Sequence, residues 1–314
     1  MTITRRSGLI LGAGALAAPF VLRVPTPASA KAKMMGPSRP GHMRFAHGEF
    51  EVTTLFDGSV QLPGPHPIFG QDQDAEDVAE LAVANDLDPA KMEIGFTTTM
   101  VNTGNELILF DTGNDATKRA TAGKTRAQME AAGYSPEDVD IVVLTHFHGD
   151  HIGGMMVEGK PAFPNARYVT TAMEYDHWIG KENELALSNV QPFAEKMTFL
   201  KDGEDVVSGV TAMAAHGHTP GHTIYHVESG DRRVLVTADT ANHFVASLER
   251  PDWHVKFDMD KEAAAATRRR VFGMLAADRI PFIGYHMPYP AVGYVKENGS
   301  GGYEYSAASY QLFL

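Results

Sequence analysis

At 314 residues, 43% hydrophobic and 21% charged, with 30 Gly and 18 Pro, the chain has ordinary globular composition. That excludes a collagen-like or wholly disordered protein and leaves room for two domains or one large α/β domain. It has no cysteine, so disulfides, thiolate metal sites and cysteine nucleophiles are excluded together, and its net charge of −12 argues against a nucleic-acid partner.

Thr4-Arg5-Arg6-Ser7 precedes a weakly apolar, Ala/Gly-rich stretch to about Leu22, and Ala28-Ser29-Ala30 gives a small-x-small cleavage pattern. Residues 1–30 resemble a twin-arginine export signal, which predicts a periplasmic protein cleaved after Ala30. Losing Arg5, Arg6 and Arg23 with the signal takes the net charge from −12 to −15. Beyond it no apolar run reaches the ~20 residues that span a bilayer, so no stable membrane association is expected after cleavage.

Residues 31–43 read as a flexible lead-in and 44–314 as one domain. Residues 45–56 form a strand closed by an Asp57-Gly58 turn. A Pro/Gly-rich loop (61–74) and a short acidic helix (74–85) follow. Two strands, 96–101 and 107–110, flank a tight turn at 102–105. The pattern then predicts a helix over 116–132 capped at Gly133, and a continuously apolar strand over 140–144, covered on both faces. Residues 167–170 are a strand, and 172–178 and 184–199 are helical. Strands at 210–214, 222–227 and 233–236 precede an Ala-rich helix at 261–275 and closing strands at 280–283 and 291–295. Strands come in runs with helices between and after them, which favours a layered α/β sandwich over a strictly alternating sheet.

The histidines, 14 in all, concentrate in two short segments. The first is Thr145-His146-Phe147-His148-Gly149-Asp150-His151, directly after the apolar strand. Leaving an extended strand, residues i and i+2 point the same way, so His146 and His148 can converge on one metal. Gly149 lets the chain turn, and Asp150 and His151 can then face a second, adjacent metal. The second segment is His216-Gly217-His218-Thr219-Pro220-Gly221-His222, a loop dense in turn formers. Asp239 and His286 each stand just past an apolar strand. Four strand-to-loop junctions thus each offer His or Asp, as a rigid sheet would aim ligands at one point.

The run H-x-H-x-D-H, then H-T-P-G-H, then a lone Asp and a lone His, resembles the metallo-β-lactamase superfamily. The stretches 55–62 (LFDGSVQL), 101–113 (VNTGNELILFDTG), 162–166 (AFPNA) and 216–229 (HGHTPGHTIYHVES) resemble its methyl parathion hydrolase and periplasmic lactonase branch. The resemblance implies a four-layer αββα metallo-β-lactamase-like sandwich with two divalent ions, zinc before manganese, iron or cobalt. It places His146, His148 and His218 on one ion, Asp150, His151 and His286 on the other, and Asp239 between them. Asp111 and His222 would orient ligands, Asp150 would orient a bridging hydroxide, and Trp178 would line the substrate pocket, with Phe69, Phe193 and Phe244 adding apolar surface. His216, His226 and His243 are expected to make local hydrogen bonds. The implied activity is hydrolysis of a neutral apolar ester or lactone, with organophosphate triester cleavage as a side activity. Residues 114–119 (NDATKR) lack that branch's pocket phenylalanine, which argues against an efficient phosphotriesterase. Alternatives on the same fold are a mononuclear iron persulfide dioxygenase and a β-lactam hydrolase; a further alternative is a periplasmic binding protein with a vestigial site. The implied partner is a small-molecule substrate, and the branch suggests a homodimer.

Overall fold

The central strands are buried on both faces, as in β-sheets covered from either side, and the strands build two seven-stranded sheets. The computed structural model describes residues 33–36, 38–118 and 120–312; residues 1–30, where an export signal and its cleavage site are expected, lie outside them. In the first sheet β1 (His42–His47), β2 (Phe50–Leu62), β3 (Met92–Asn102), β4 (Leu107–Phe110) and β5 (Ile141–Val143) lie side by side. After a two-stranded ribbon, β6 (Met156–Val157) and β7 (Lys160–Pro161), the sheet ends with β8 (Arg167–Thr170) and β9 (Met197–Phe199). The second sheet runs in chain order through β10 (Asp205–Val207), β11 (Val210–Ala214), β12 (Thr223–Ser229), β13 (Arg232–Ala238), β14 (Phe282–Gly284), β15 (Val292–Glu297) and β16 (Tyr303–Ala307).

In β4 and β5 the period of two is clean. Ile108, Phe110, Ile141 and Val143 enter the core between the sheets, where Phe110 meets Tyr225 at 5.3 Å between ring centroids. Leu107, Leu109, Val142 and Leu144 turn to the opposite face, onto Met129 and Ala186. The helices are α1 (Ala75–Ala84), α2 (Thr125–Ala131), α3 (Gly149–Ile152), α4 (Ala172–Gly180), α5 (Glu184–Asn189), α6 (Ala246–Glu249) and α7 (Lys261–Asp278). Met129 belongs to α2 and Ala186 to α5, so these two helices cover the first sheet. Helix α7 covers the second, where Phe272 packs on Phe282 at 5.3 Å. Each such buried side chain contributes about 1.5–3 kcal/mol. This is the αββα sandwich. No described helix is long and apolar enough to cross a membrane.

Two parallel pairs position the site. β4 and β5 are parallel in the first sheet, and β13 and β14 are parallel in the second. Their carboxyl ends release Asp111, His146, Asp239 and His286 toward one edge of the sandwich. Asp111 and Ala238 both hold positive φ, +61° and +42°, at these strand ends. Non-glycine residues rarely sit there, and such strain collects at functional sites.

Two elements differ from expectation for one reason. Asp57-Gly58 is not a turn: β2 runs through it to Leu62 with a register shift between Phe56 and Gly58, and the hairpin turn falls at Gly48-Glu49. The Asp57 carboxylate is fully buried and accepts from the N–H of Asn114, Gly123 and Thr125, the Asn114 amide and the Thr125 hydroxyl. Those N–H groups are therefore not free for a helix over 116–124, and α2 begins only at Thr125. The expected helix over 184–199 also breaks. Pro192 ends α5 in a 3₁₀ turn, and the chain then extends into β9. Asp57→Asn keeps the shape but turns an NH₂ toward N–H donors. It should lower unfolding free energy by about 1–3 kcal/mol in a urea titration; an unchanged midpoint would contradict this account.

Candidate metal centre

Leaving β5, Phe147 points into the core beneath α5 while His146 and His148 turn to the other side. Helix α3 follows at once and is drawn tight onto the Asp111-Thr112-Gly113 turn: the Gly154 N–H donates to Gly113 O, and a Cβ on Gly154 would lie 2.1 Å from Thr112 O. Only glycine allows that approach, which fixes Asp150 and His151 beside the first two histidines. The 215–222 loop brings His218 in from the second sheet, Asp239 follows β13, and His286 follows β14.

These side chains form two adjoining groups. In the first, His146 Nε2 lies 3.1 Å from His148 Nδ1, and His148 Nδ1 lies 2.9 Å from His218 Nε2. Asp239 Oδ2 stands 3.2 Å from His218 Nε2. In the second, Asp150 Oδ2 is 3.6 Å from His151 Nε2 and 3.5 Å from His286 Nε2. Asp239 spans both, with Oδ1 3.1 Å from His151 and Oδ2 3.1 Å from His286. His146, His151, His218 and Asp239 are buried, while His148 and Asp150 keep partial access to solvent.

The far nitrogen of most rings is fixed by a partner. Asp111 does this twice: His151 Nδ1 donates to its Oδ2, and His146 Nδ1 donates to the Thr145 hydroxyl, which donates to the same oxygen. His218 Nδ1 donates to Asp258, and His286 Nδ1 donates to Gly95 O. His222 acts on Asp239 through the backbone: its Nδ1 donates to Ala215 O, and its Nε2 accepts the Asp239 N–H. Such outer partners fix tautomer and aim the free lone pair inward.

Burial holds His148 and His222 down to about 3, so both are neutral at pH 7. Burial would also lower His218, but the hydrogen bond and charge of Asp239, with Asp258 behind, lift it to about 9. Protons are thus drawn into the space that the lone pairs face. His151 Nε2 and Asp239 Oδ1 are buried and make no hydrogen bond, although they face each other. Nitrogens and oxygens that share one ion at roughly 2 Å must lie roughly 3 Å apart, as these do. The donor set fits two divalent cations of the zinc type.

The metallo-β-lactamase superfamily model matches residues 97–281, more than half of the chain. The chain belongs to the metallo-β-lactamase superfamily. Among solved structures it is similar to AidC, a dizinc quorum-quenching lactonase in complex with the product N-hexanoyl-L-homoserine. The identity is 26% and the TM-score 0.80, over 86% of this chain and 98% of that one. The hydrolase AbOPH of the β-lactamase superfamily shares the fold at 24% identity and TM-score 0.80, over 87% of this chain and 99% of that one. The N-acyl homoserine lactonase AttM of Agrobacterium fabrum is 30% identical over 126 residues, 36% of this chain and 46% of that protein. The lactonase AiiA of Bacillus thuringiensis subsp. kurstaki is 27% identical over 114 residues, 36% of this chain and 43% of that protein. The chain thus spans less than half the length of these curated relatives.

Over the metallo-β-lactamase site lies a cleft of about 430 Å³. His148, Asp150, Asp239 and His286 form its polar floor, Val60, Leu62, Ile68, Ile94, Phe96 and Phe257 its apolar walls, and Lys256 stands at its rim. The expected aromatic pocket is not among these linings. Trp178 stands edge-on to His148, 5.6 Å away, with its indole N–H held by Glu174. Phe69 is buried against His243, and Phe193 stacks on Tyr168 in the core. Phe244 packs against the core between the sheets. His243 makes the expected local bonds, accepting the N–H groups of Val245 and Ala246, whereas His226 Nδ1 is buried without a partner.

Four residues around the site escape sequence reasoning: Asp258, Arg268, Asn242 and Glu174. Asn242 donates to Asp239 Oδ2, and Arg268, fully buried, pairs with Asp258 at 2.7 Å. Asn242 follows a ligand-type Asp by three residues, which is a readable signal. The others meet the site only through tertiary contact.

Proposed function

We propose that the chain is a dinuclear metal-dependent hydrolase that opens a neutral lactone bearing an apolar acyl chain. The observation that carries it is the pairing of seven ligand-type side chains, in two adjoining groups, with an apolar cleft directly above them. His146, His148 and His218 would hold one ion, Asp150, His151 and His286 the other, and Asp239 both. Two such ions supply a hydroxide at neutral pH and polarise a carbonyl oxygen. The chain's own residues do the rest. The Val60, Leu62, Ile68 and Phe257 walls would bind the acyl chain and exclude water from it. Asp150, partly open to the cleft, would orient the attacking group and take its proton. The lactonase relatives support a cyclic ester, and nothing in the comparisons favours a persulfide dioxygenase or a β-lactam hydrolase. Organophosphate triester cleavage would be a lesser activity.

Metal analysis of the purified chain should find two ions. N-acyl homoserine lactones should then be hydrolysed faster than aryl esters, phosphotriesters or β-lactams. Chelation should abolish turnover and zinc should restore it. Lactone turnover that survives complete metal removal would overturn the reading.

A further inference from the structure

Glu174 is a buried acid for which lactone hydrolysis, as described, has no use. It lies in the first turn of α4 and is fully buried, and among the described residues no basic side chain pairs with it. Four donors surround it instead. Its Oε1 accepts the Phe147 N–H at 2.8 Å and the Trp178 indole N–H at 2.6 Å. Its Oε2 accepts the Thr219 hydroxyl at 2.8 Å and the Gly221 N–H at 2.9 Å.

The first two donors belong to the His148 side of the site. Phe147 is the link between His146 and His148, and the Trp178 ring stands against His148. The other two belong to the loop that carries His218. That loop is pressed onto α4 so closely that a Cβ on Gly221 would lie 2.3 Å from the Glu174 nitrogen. One carboxylate therefore clamps the two segments whose ring nitrogens meet 2.9 Å apart. Burial pulls this carboxyl above its usual range, while all four hydrogen bonds act in the opposite sense and favour the charged acceptor. Of the other acids behind this group, Asp258 is neutralised by Arg268, and Asp111 pairs with His151 and reaches His146 only through Thr145. Glu174 thus adds a buried carboxyl, without a basic partner among the described residues, on the side of the three histidines, and a cation there would offset the cost of ionising it.

Resting on the reading that His146, His148 and His218 hold an ion, we infer that Glu174 is a positioning residue. By clamping the Phe147 peptide and Trp178 to the His218 loop, it sets how tightly the first group holds its cation, and it leaves the second group largely unaffected.

Release of zinc to excess chelator, followed with a colorimetric reporter on the full chain, tests this. Glu174→Gln should release one of its two ions at least about tenfold faster than wild type, the effect expected of an outer partner, with the other unchanged. Trp178→Phe, which removes one donor and keeps a ring beside His148, should shift the same phase by a smaller factor. The rise in Tm that zinc confers should also shrink in Glu174→Gln; a merely structural residue would lower the metal-free and zinc-loaded Tm alike and leave release unchanged. Wild-type release from Glu174→Gln, or equal acceleration of both ions, overturns the inference. If Glu174→Gln does not fold, wild-type release from Trp178→Phe overturns it. A wild-type chain that binds no zinc overturns the metal reading and this inference with it.

Discussion

Asp239→Asn should cut lactone hydrolysis by roughly a thousandfold or more and bring bound metal below two ions per chain. Loss of one fixed oxyanion donor costs about 10²–10³ in rate, and Asp239 serves both groups at once. Its two oxygens face His151, His218 and His286 at 3.1–3.2 Å, and the side chain is buried. The amide would remove the charge and turn an NH₂ toward ring nitrogens that need their lone pairs for a cation. The shape is unchanged, and the Asp239 N–H is already held by His222, so the fold should persist. Metal analysis beside the lactone assay decides it. Two bound ions with activity within tenfold of wild type would remove Asp239 from its bridging role.

The difference between Asp239 and Asp57 shows what the sequence carries. Asp239 was readable because an apolar strand, 233–236, runs directly into it, and a strand end in a sheet has a known direction. His146 and His148 were readable because the extended backbone itself puts i and i+2 on one side. Asp57 is not legible in this way, because Asp-Gly is a strong local turn signal whereas its partners come from residues 114–125. The same distant bonds remove the 116–124 part of the helix expected over 116–132. Glu174 and Asp258 belong to this second kind. Thr219 lies 45 residues beyond Glu174, and Asp258 lies 40 beyond His218, with no spacing rule between them. Trp178 is placed at the pocket by resemblance alone; its ring stands against His148 on the cleft floor, with the indole N–H held by Glu174. Chemistry that follows the strand was legible; chemistry that depends on which distant loop packs alongside was not.

Arg268→Met should cause the largest loss of stability among the substitutions considered, on the order of 3–5 kcal/mol, because it leaves a buried charge uncompensated. Arg268 is fully buried in α7 and satisfies three acceptors: Asp258 Oδ2 at 2.7 Å, Pro251 O at 2.8 Å and Trp253 O at 3.1 Å. Burial pulls Asp258 upward, but the His218 hydrogen bond and the Arg268 charge hold it below the usual carboxylate range. Its contribution is therefore complete above about pH 4 and fades as pH falls through that lowered value. The wild-type advantage over Arg268→Met should shrink in acid accordingly. Asp258→Asn combined with Arg268→Met should lose less than the two single losses added, since the stranded charge is gone. The same guanidinium ties down the segment that presents Lys256 and Phe257 to the cleft, so the variant should also raise KM for long-chain lactones more than it lowers kcat. Denaturant titration at pH 7 reads the first effect, and a loss below about 1 kcal/mol would show that Asp258 does not depend on Arg268 for its charge.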